Sequence, residues 1–202
     1  EKTQYTVYVV PVDDATPTAN EGNLIVHNFE TLDQTSPTLT WSVSGITTNG
    51  ANLPLTLSEA GTVYWAVMLR TDAAPSIAAL LAGTAGSITG AKGNGAANNA
   101  GATNFGQSGL ASDTPYRVYI VAEDEASPTK NVGAREQLDF TTLDGTPPTA
   151  VVSVDTLTTT GGSLKVTPDE GGTAHYAVLL RSAAAPTASA VRAGTAGSIA
   201  GA

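Results

Sequence analysis

The chain has 202 residues, with 18 Asp and Glu against 9 Lys and Arg, a formal net charge of −9 and no cysteine. That balance repels phosphate backbones, which argues against a nucleic-acid partner, and the missing thiols exclude disulfides, thiolate catalysis and Cys-ligated zinc. Only 13% of residues are charged and no apolar run approaches the roughly 18 residues of a spanning helix, so Thr, Ala, Gly and Ser supply the surface of a hydroxyl-rich module.

In chain order, residues 4–11 set Tyr5, Val7 and Val9 in one phase and read as a strand. Asp13, Asp14 and Pro17 mark a turn, and residues 23–31 complete a second strand. Residues 32–37 form a linker that Pro37 keeps short and stiff. A strand over 38–43 carries Leu39, Trp41 and Val43 in phase, and Asn49 with Gly50 signals a hairpin. Leu53, Leu55 and Leu57 alternate as the next strand, with Pro54 turning its missing donor to an exposed side or an edge. Residues 62–70 form the longest apolar strand, with Val63, Trp65, Val67 and Leu69 on one face and Tyr64, Ala66 and Met68 on the other.

A short helix follows, capped by Asp72 or a neighbour, with Pro75 in its first turn, residues 77–81 as its apolar face and Gly83 at its end. The Gly- and Asn-rich stretch 86–109 reads as a long mobile loop with short flanking strands, the second over 103–110. Residues 116–122 alternate Tyr116, Val118, Ile120 and Ala122 against Arg117, Tyr119 and Val121, and residues 137–142 alternate Leu138, Phe140 and Thr142. These two strands form a closing hairpin.

Sliding the chain against itself at an offset of 111, so that Tyr5 falls on Tyr116, gives 45 identities in the 91 overlapping positions, with no gap. Asp13 then meets Asp124, Phe29 meets Phe140, and the run Ala-Gly-Thr-Ala-Gly-Ser-Ile at 82–88 recurs at 193–199. Such ungapped identity marks a tandem repeat. Residues 1–35 are the C-terminal part of one repeat, 36–146 a complete repeat and 147–202 the N-terminal part of the next. The expectation is a window on a longer array of sandwich-sized domains.

Leu110 and Tyr116 have the spacing of a tyrosine corner, in which a core Tyr bonds backbone a few residues upstream. With the 116–122 alternation and Phe140, Thr141 and Thr142, the order of elements resembles the fibronectin type III fold. Residues 118–124, 176–180, 185–187 and 191–195 look like repeats of very large bacterial or archaeal surface proteins. The Gly/Asn-rich residues 92–101 depart from the family pattern.

The resemblance implies an all-β chain of tandem, seven-stranded, fibronectin type III-like β-sandwiches. It implies a structural, non-catalytic repeat of an extracellular filament, sheath or giant cell-surface adhesin, whose partners are other copies of itself, head to tail. The alternative it leaves is a carbohydrate- or surface-binding accessory module of a secreted multidomain enzyme, meeting surface glycans through Tyr64 or Tyr119.

No catalytic set is readable. His27 and His175 are the only imidazoles, they do not correspond between repeats, and His175 stands where the complete repeat has Tyr64, a surface or half-buried packing position that with Tyr119 is a candidate for an exposed patch. The Gly-rich segments lack the Gly-Lys-Ser/Thr ending of a phosphate loop. The acidic residues offer one cofactor reading. Asp124 and Glu125, with the counterparts Asp13 and Asp14, sit at hairpin tips, and Asp33 and Asp144 sit in the linkers. Clustered carboxylates of this kind suit calcium; the competing reading is a solvated turn and a linker Asp bonded to nearby backbone.

Overall fold

The computed structural model describes residues 2–99 and 101–197; Glu1, Ala100 and residues 198–202, which include the end of the recurring 193–199 motif, lie outside the described residues. The chain is all-β in character. Its strands are β1 (Gln4–Val9), β2 (Ile25–Glu30), β3 (Leu39–Trp41), β4 (Ala51–Leu57), β5 (Gly61–Leu69), β6 (Lys92–Ala97), β7 (Thr103–Gln107), β8 (Pro115–Asp124), β9 (Glu136–Thr141), β10 (Ala150–Asp155) and β11 (Ser163–Pro168). Two five-residue helices, α1 (Ile77–Leu81) and α2 (Ala188–Arg192), complete the described elements. All the strand pairs are antiparallel. Residues 1–145 and 146–202 form two compact units.

In the first unit, β3-β4-β7 make one sheet and β6-β5-β8-β9 another. Period-two alternation decides which side chains lie between them. β4 contributes Leu53, Leu55 and Leu57, β5 contributes Val63, Trp65 and Val67, and β8 contributes Tyr116, Val118 and Ile120; with Phe140 they form one buried cluster drawn from both sheets. β8 is covered on its other face too. There Tyr119 and Val121 pack with Ala66 beneath Leu80 of α1 and Ala85. Ser76, not Asp72, caps α1, its Oγ accepting the Ala79 N–H at 3.1 Å. Asp72 instead accepts the Leu69 N–H at 3.1 Å and closes the turn that follows β5.

Two predicted elements come out differently, each for a local reason. The strand expected over 38–43 shrinks to β3, because the proline nitrogen of Pro54 leaves Ser42 with a single ladder bond, Ser42 N–H to Pro54 O at 3.1 Å. Pairing resumes as an isolated bridge at Ser44 and Asn52. Pro54 therefore sits on a central strand, not at an edge.

The second is the stretch expected to be a loop, 92–97, which is the edge strand β6, laddered to β5 from Ala66↔Lys92 to Gly61↔Ala97. Its glycines make room for aromatic rings. A Cβ on Gly95 would lie 2.3 Å from Phe105 Cε1, and one on Gly93 3.1 Å from Trp65 Cζ2. Those rings stack at 4.3 Å between centroids, and Trp65 Nε1 donates to Gln107 Oε1 at 2.9 Å. The Gly-rich composition that reads as a loop is what lets a strand pass over two large side chains.

The β1–β2 hairpin repeats the register of β8–β9. Tyr5↔Phe29 matches Tyr116↔Phe140, and the bridge Val12↔Glu21 matches Glu123↔Val132. Its faces are open: Tyr8 is 66% exposed, whereas its counterpart Tyr119 is 2% exposed.

In the second unit, β10–β11 repeats the register of β3–β4, with Ala150↔Pro168 matching Leu39↔Leu57. Helix α2 is capped by Thr187 as α1 is by Ser76. Residues 173–180, the counterpart of most of β5, form no strand. In the first unit β5 is laddered on both sides, by β6 and β8; residues 173–180 have no ladder partner among the described residues.

Candidate functional site

The acidic residues are the place to look for chemistry, and the loop from Asp124 to Asn131 organises them. Asp124 ends β8 and is 2% exposed. Its Oδ1 accepts the Ala126 N–H at 3.0 Å and the Asn131 N–H at 2.7 Å, and its Oδ2 accepts Asn131 Nδ2 at 2.7 Å. The same clasp closes the β1–β2 loop. Asp13 Oδ1 accepts the Ala15 and Asn20 N–H groups at 3.2 and 2.7 Å, and Oδ2 accepts Asn20 Nδ2 at 2.8 Å. The backbone is paired at the same place, Asp124 N–H to Asn131 O and Asp13 N–H to Asn20 O at 3.1 Å each, so the carboxylate adds side-chain bonds across a loop mouth that is already closed. Burial pushes the Asp124 carboxyl up, but the side-chain and backbone hydrogen bonds from Asn131 and the Ala126 N–H outweigh it and hold the group below the usual carboxylate range. In Asp13 the Asn20 amide, followed by the backbone bonds from Asn20 and Ala15, lowers the carboxyl in the same direction.

Asn131 also ties this loop to the linker. Its Nδ2 donates to Asp33 O at 3.2 Å, and Ser36 Oγ donates to Val132 O at 3.1 Å. The result is one group of three carboxylates, Asp33, Glu59 and Asp124, with one oxygen from each within 4.8 Å of the others. Asp33 and Asp124 are thus brought together as sequence candidates, and Glu59 joins them although nothing in its own turn marked it. Asp13, Asp14, Glu125 and Asp144 belong to no such group of three among the described residues. Calcium takes six to eight oxygen ligands. Here both Asp124 oxygens already receive N–H donors, and Asp33 Oδ1 accepts the Thr35 N–H at 3.0 Å. Asp124 thus closes its own loop, while Asn131 and Ser36 tie that loop to the linker.

The tyrosine pair proposed as an exposed patch is not one. Tyr119 is buried under Leu80, with the Arg135 guanidinium 5.3 Å from its ring centroid, and Arg135 Nη1 donates to Pro75 O. Tyr64 is half-buried and donates to Glu123 Oε1 at 2.8 Å, an oxygen that Lys130 Nζ also reaches at 2.5 Å. Burial first, then the Glu123 bond, raises the Tyr64 phenol above its ordinary value. Helix α1 is the reason for the burial of Tyr119, because it folds over this sheet face. The amphipathic segment at 77–81 was the available signal; which face it covers was not readable from spacing.

His27 lies exposed on β2. His175 lines a cleft of about 540 Å³ between β10–β11 and residues 172–178 of the second unit. The cleft walls are mostly apolar, including Val152, Leu164, Val166, Tyr176 and Val178.

At the other end of β8, the Tyr116 hydroxyl accepts the Ala111 N–H at 2.8 Å. Thr142 Oγ1 donates to Ala111 O at 2.6 Å and accepts the Thr114 N–H at 3.0 Å. Leu110 is buried beside them. Tyr116 and Thr142 therefore hold both polar groups of one peptide-chain residue ahead of β8, the arrangement anticipated for a tyrosine corner.

No family model and no curated protein matches this chain. Among the described residues, no helix is long and apolar enough to cross a membrane.

Proposed function

We propose that this chain is a structural, non-catalytic segment of an extracellular filament, sheath or giant cell-surface adhesin, built from tandem fibronectin type III-like sandwiches, with other copies of itself as partners. The observation that carries the reading is duplication of geometry as well as of sequence. The hairpins β1–β2 and β8–β9, one repeat apart, share register, the Asp13–Asn20 and Asp124–Asn131 clasps share their bonds, and α1 and α2 share a cap. The strand orders β3-β4-β7 and β6-β5-β8-β9, with a Tyr-to-backbone bond entering β8, support the fibronectin type III-like assignment of residues 36–146. The proline-bearing linkers and the Asn131–Asp33 bond support stiff joints between successive modules.

A spacer needs a rigid, repeatable unit, and Asp13, Asn20, Asp124 and Asn131 spend their polar groups on fastening loops. Immunogold electron microscopy of the source cells with antibody raised against residues 36–146 tests the reading. Label on surface fibres or sheath is expected; label confined to the cell interior would refute it.

A further inference from the structure

The two sheets of the first unit's body end in four edge strands, β3 and β7 in one and β6 and β9 in the other. An edge strand offers unpaired N–H and C=O groups to any extended chain, and charge, proline or shortness normally guards it. β9 carries Asp139, which pairs with Arg117 at 2.5 Å and Arg70 at 2.9 Å. β3 is three residues long. β7 has five residues, and just past it the Ser108 N–H is already taken by Gly90 O at 3.0 Å. β6 has no such guard. Its one charge, Lys92, turns its Nζ to Gly86 O at 2.8 Å, in the loop that precedes the strand, and the other residues are Gly, Asn and Ala.

The ladder to β5 decides which groups of β6 face outward. Val67 N–H donates to Ala91 O at 2.7 Å, one step beyond the Ala66↔Lys92 pair and in the same register. In an antiparallel ladder, pairs that exchange both bonds alternate with pairs that exchange none. Gly93, Gly95 and Ala97 therefore turn their backbone groups to β5, and Lys92, Asn94 and Ala96 turn theirs to the open side. Those three are also the exposed residues of the strand.

We propose that β6 pairs antiparallel with β6 of a second copy of this chain, about a twofold axis through Asn94, so that the two β6-β5-β8-β9 sheets join edge to edge. The outward groups fix the register: Asn94 opposes Asn94, and Lys92 opposes Ala96 of the other copy. Three features select a second copy over an unrelated strand. The axis opposes no like charges, since each Lys92 faces an Ala96 and residues 92–97 hold no carboxylate. The Asn94 amide carries both donor and acceptor, so two of them face to face exchange both bonds. A foreign peptide added to an edge is read by pockets for its alternate side chains. β6 offers none at Gly93 and Gly95, where the Trp65 and Phe105 rings fill the space. The contact is isologous and closes at two copies. It is lateral, so it goes beyond the end-to-end reading above and does not depend on it.

The test uses the 202-residue chain, which has no cysteine. Asn94→Cys puts two thiols face to face across the axis, with Cα atoms about 5.5 Å apart, within the span of a disulfide. Mild oxidation should give a cross-linked dimer. Ala96→Cys, equally exposed, sets the two thiols about 13 Å apart along the strands and should stay monomeric. An equimolar mixture of Lys92→Cys and Ala96→Cys chains should cross-link as a heterodimer. In sedimentation velocity the wild type should move from monomer toward dimer with concentration. Asn94→Lys sets like charges opposite each other on the axis and should weaken that association about tenfold. Residue 94 is exposed, so the urea midpoint of tryptophan fluorescence should not change. Equal oxidation of the Asn94→Cys and Ala96→Cys chains, or no cross-link in either, would overturn the proposal. So would a monomeric wild type, or association that Asn94→Lys leaves unchanged. The surface-labelling result is separate, since it reads location alone.

Discussion

Tyr116→Phe isolates one hydrogen bond. The ring is 2% exposed and stays in place, stacked on Phe140 at 5.8 Å between centroids, so packing is conserved. What is lost is the acceptor for the Ala111 N–H at 2.8 Å. A buried donor left without a partner costs about 1–3 kcal/mol; Ala111 lies at the margin of the core, where water can partly replace the hydroxyl, which places the expected loss at about 1–2 kcal/mol.

Both tryptophans, Trp41 and Trp65, lie in the first unit's two-sheet body, so their fluorescence reports that body's unfolding and not that of the open hairpins. With a urea m-value of about 1.5 kcal/mol/M for a body of this size, the midpoint should fall by about 1 M with the slope unchanged. The chain supplies its own control. Tyr5→Phe changes the corresponding residue of β1, 49% exposed, and should leave the stability within about 0.5 kcal/mol of wild type. Thr142→Val should cost more, about 2–3 kcal/mol, because it strips partners from Ala111 O and the Thr114 N–H together. The Tyr116→Phe, Thr142→Val double variant should be non-additive, since both side chains hold Ala111. Equal midpoints for Tyr116→Phe and wild type would refute the corner as a stabilising device.

Gly95→Ala should destabilise the body by about 1–2 kcal/mol, because its Cβ meets the Phe105 ring, while Gly106→Ala, which meets only Asn52 Oδ1 at 3.7 Å, should be neutral or stabilising; urea melts of the pair decide it. Asp124 has a carboxyl held below its ordinary 3.8, so it contributes stability that is fully present above that value and is lost as pH falls through the lower folded value. The fluorescence midpoint should therefore be flat from neutral pH down to about 5 and drop below about 4, and Asp124→Asn should shrink that drop. Calcium chelation should leave the same midpoint unchanged, since N–H donors engage both Asp124 oxygens; a chelator-dependent fall abolished by Asp33→Asn would instead place a cation among Asp33, Glu59 and Asp124.

Period-two alternation made β4, β5, β8 and β9 legible, because their buried faces follow directly from side-chain direction in a strand. Leu53, Leu55 and Leu57, or Tyr116, Val118 and Ile120, could hardly be read otherwise. Composition misled at β6, where glycine serves clearance over Trp65 and Phe105, a property of neighbours rather than of the stretch. It misled at Tyr119 too, since alternation shows that a residue leaves the main core but not that α1 will cover it. Asp124 was visible as an acid; its role needed Asn131, and the one signal for that was that Asp13 and Asn20 stand together, at the same separation, 111 residues earlier. Glu59 recurs as Glu170, but its approach to Asp33 depends on how the linker lies against the body and was not readable from that recurrence.

Residues 61–69 and 172–180 carry the sharper lesson. They share Gly, Thr, Ala, Val, Leu and Arg at matching positions through Arg70 and Arg181, yet the first is a nine-residue strand and the second contains none. Propensity separates them only in part, since Tyr176, Val178 and Leu180 favour a strand as Trp65, Val67 and Leu69 do, while Ala174 and His175 replace Val63 and Tyr64. The difference is company. β5 has β6 on one side and β8 on the other, and each ladder bond it makes satisfies a backbone group that would otherwise face water or apolar surface. Residues 173–180 keep the side chains of a central strand beside an apolar cleft and, among the described residues, pair with neither of the two neighbours that β5 has. A central strand in this architecture thus owes its backbone to its partners as well as to its side chains, as the two corresponding segments of this chain show.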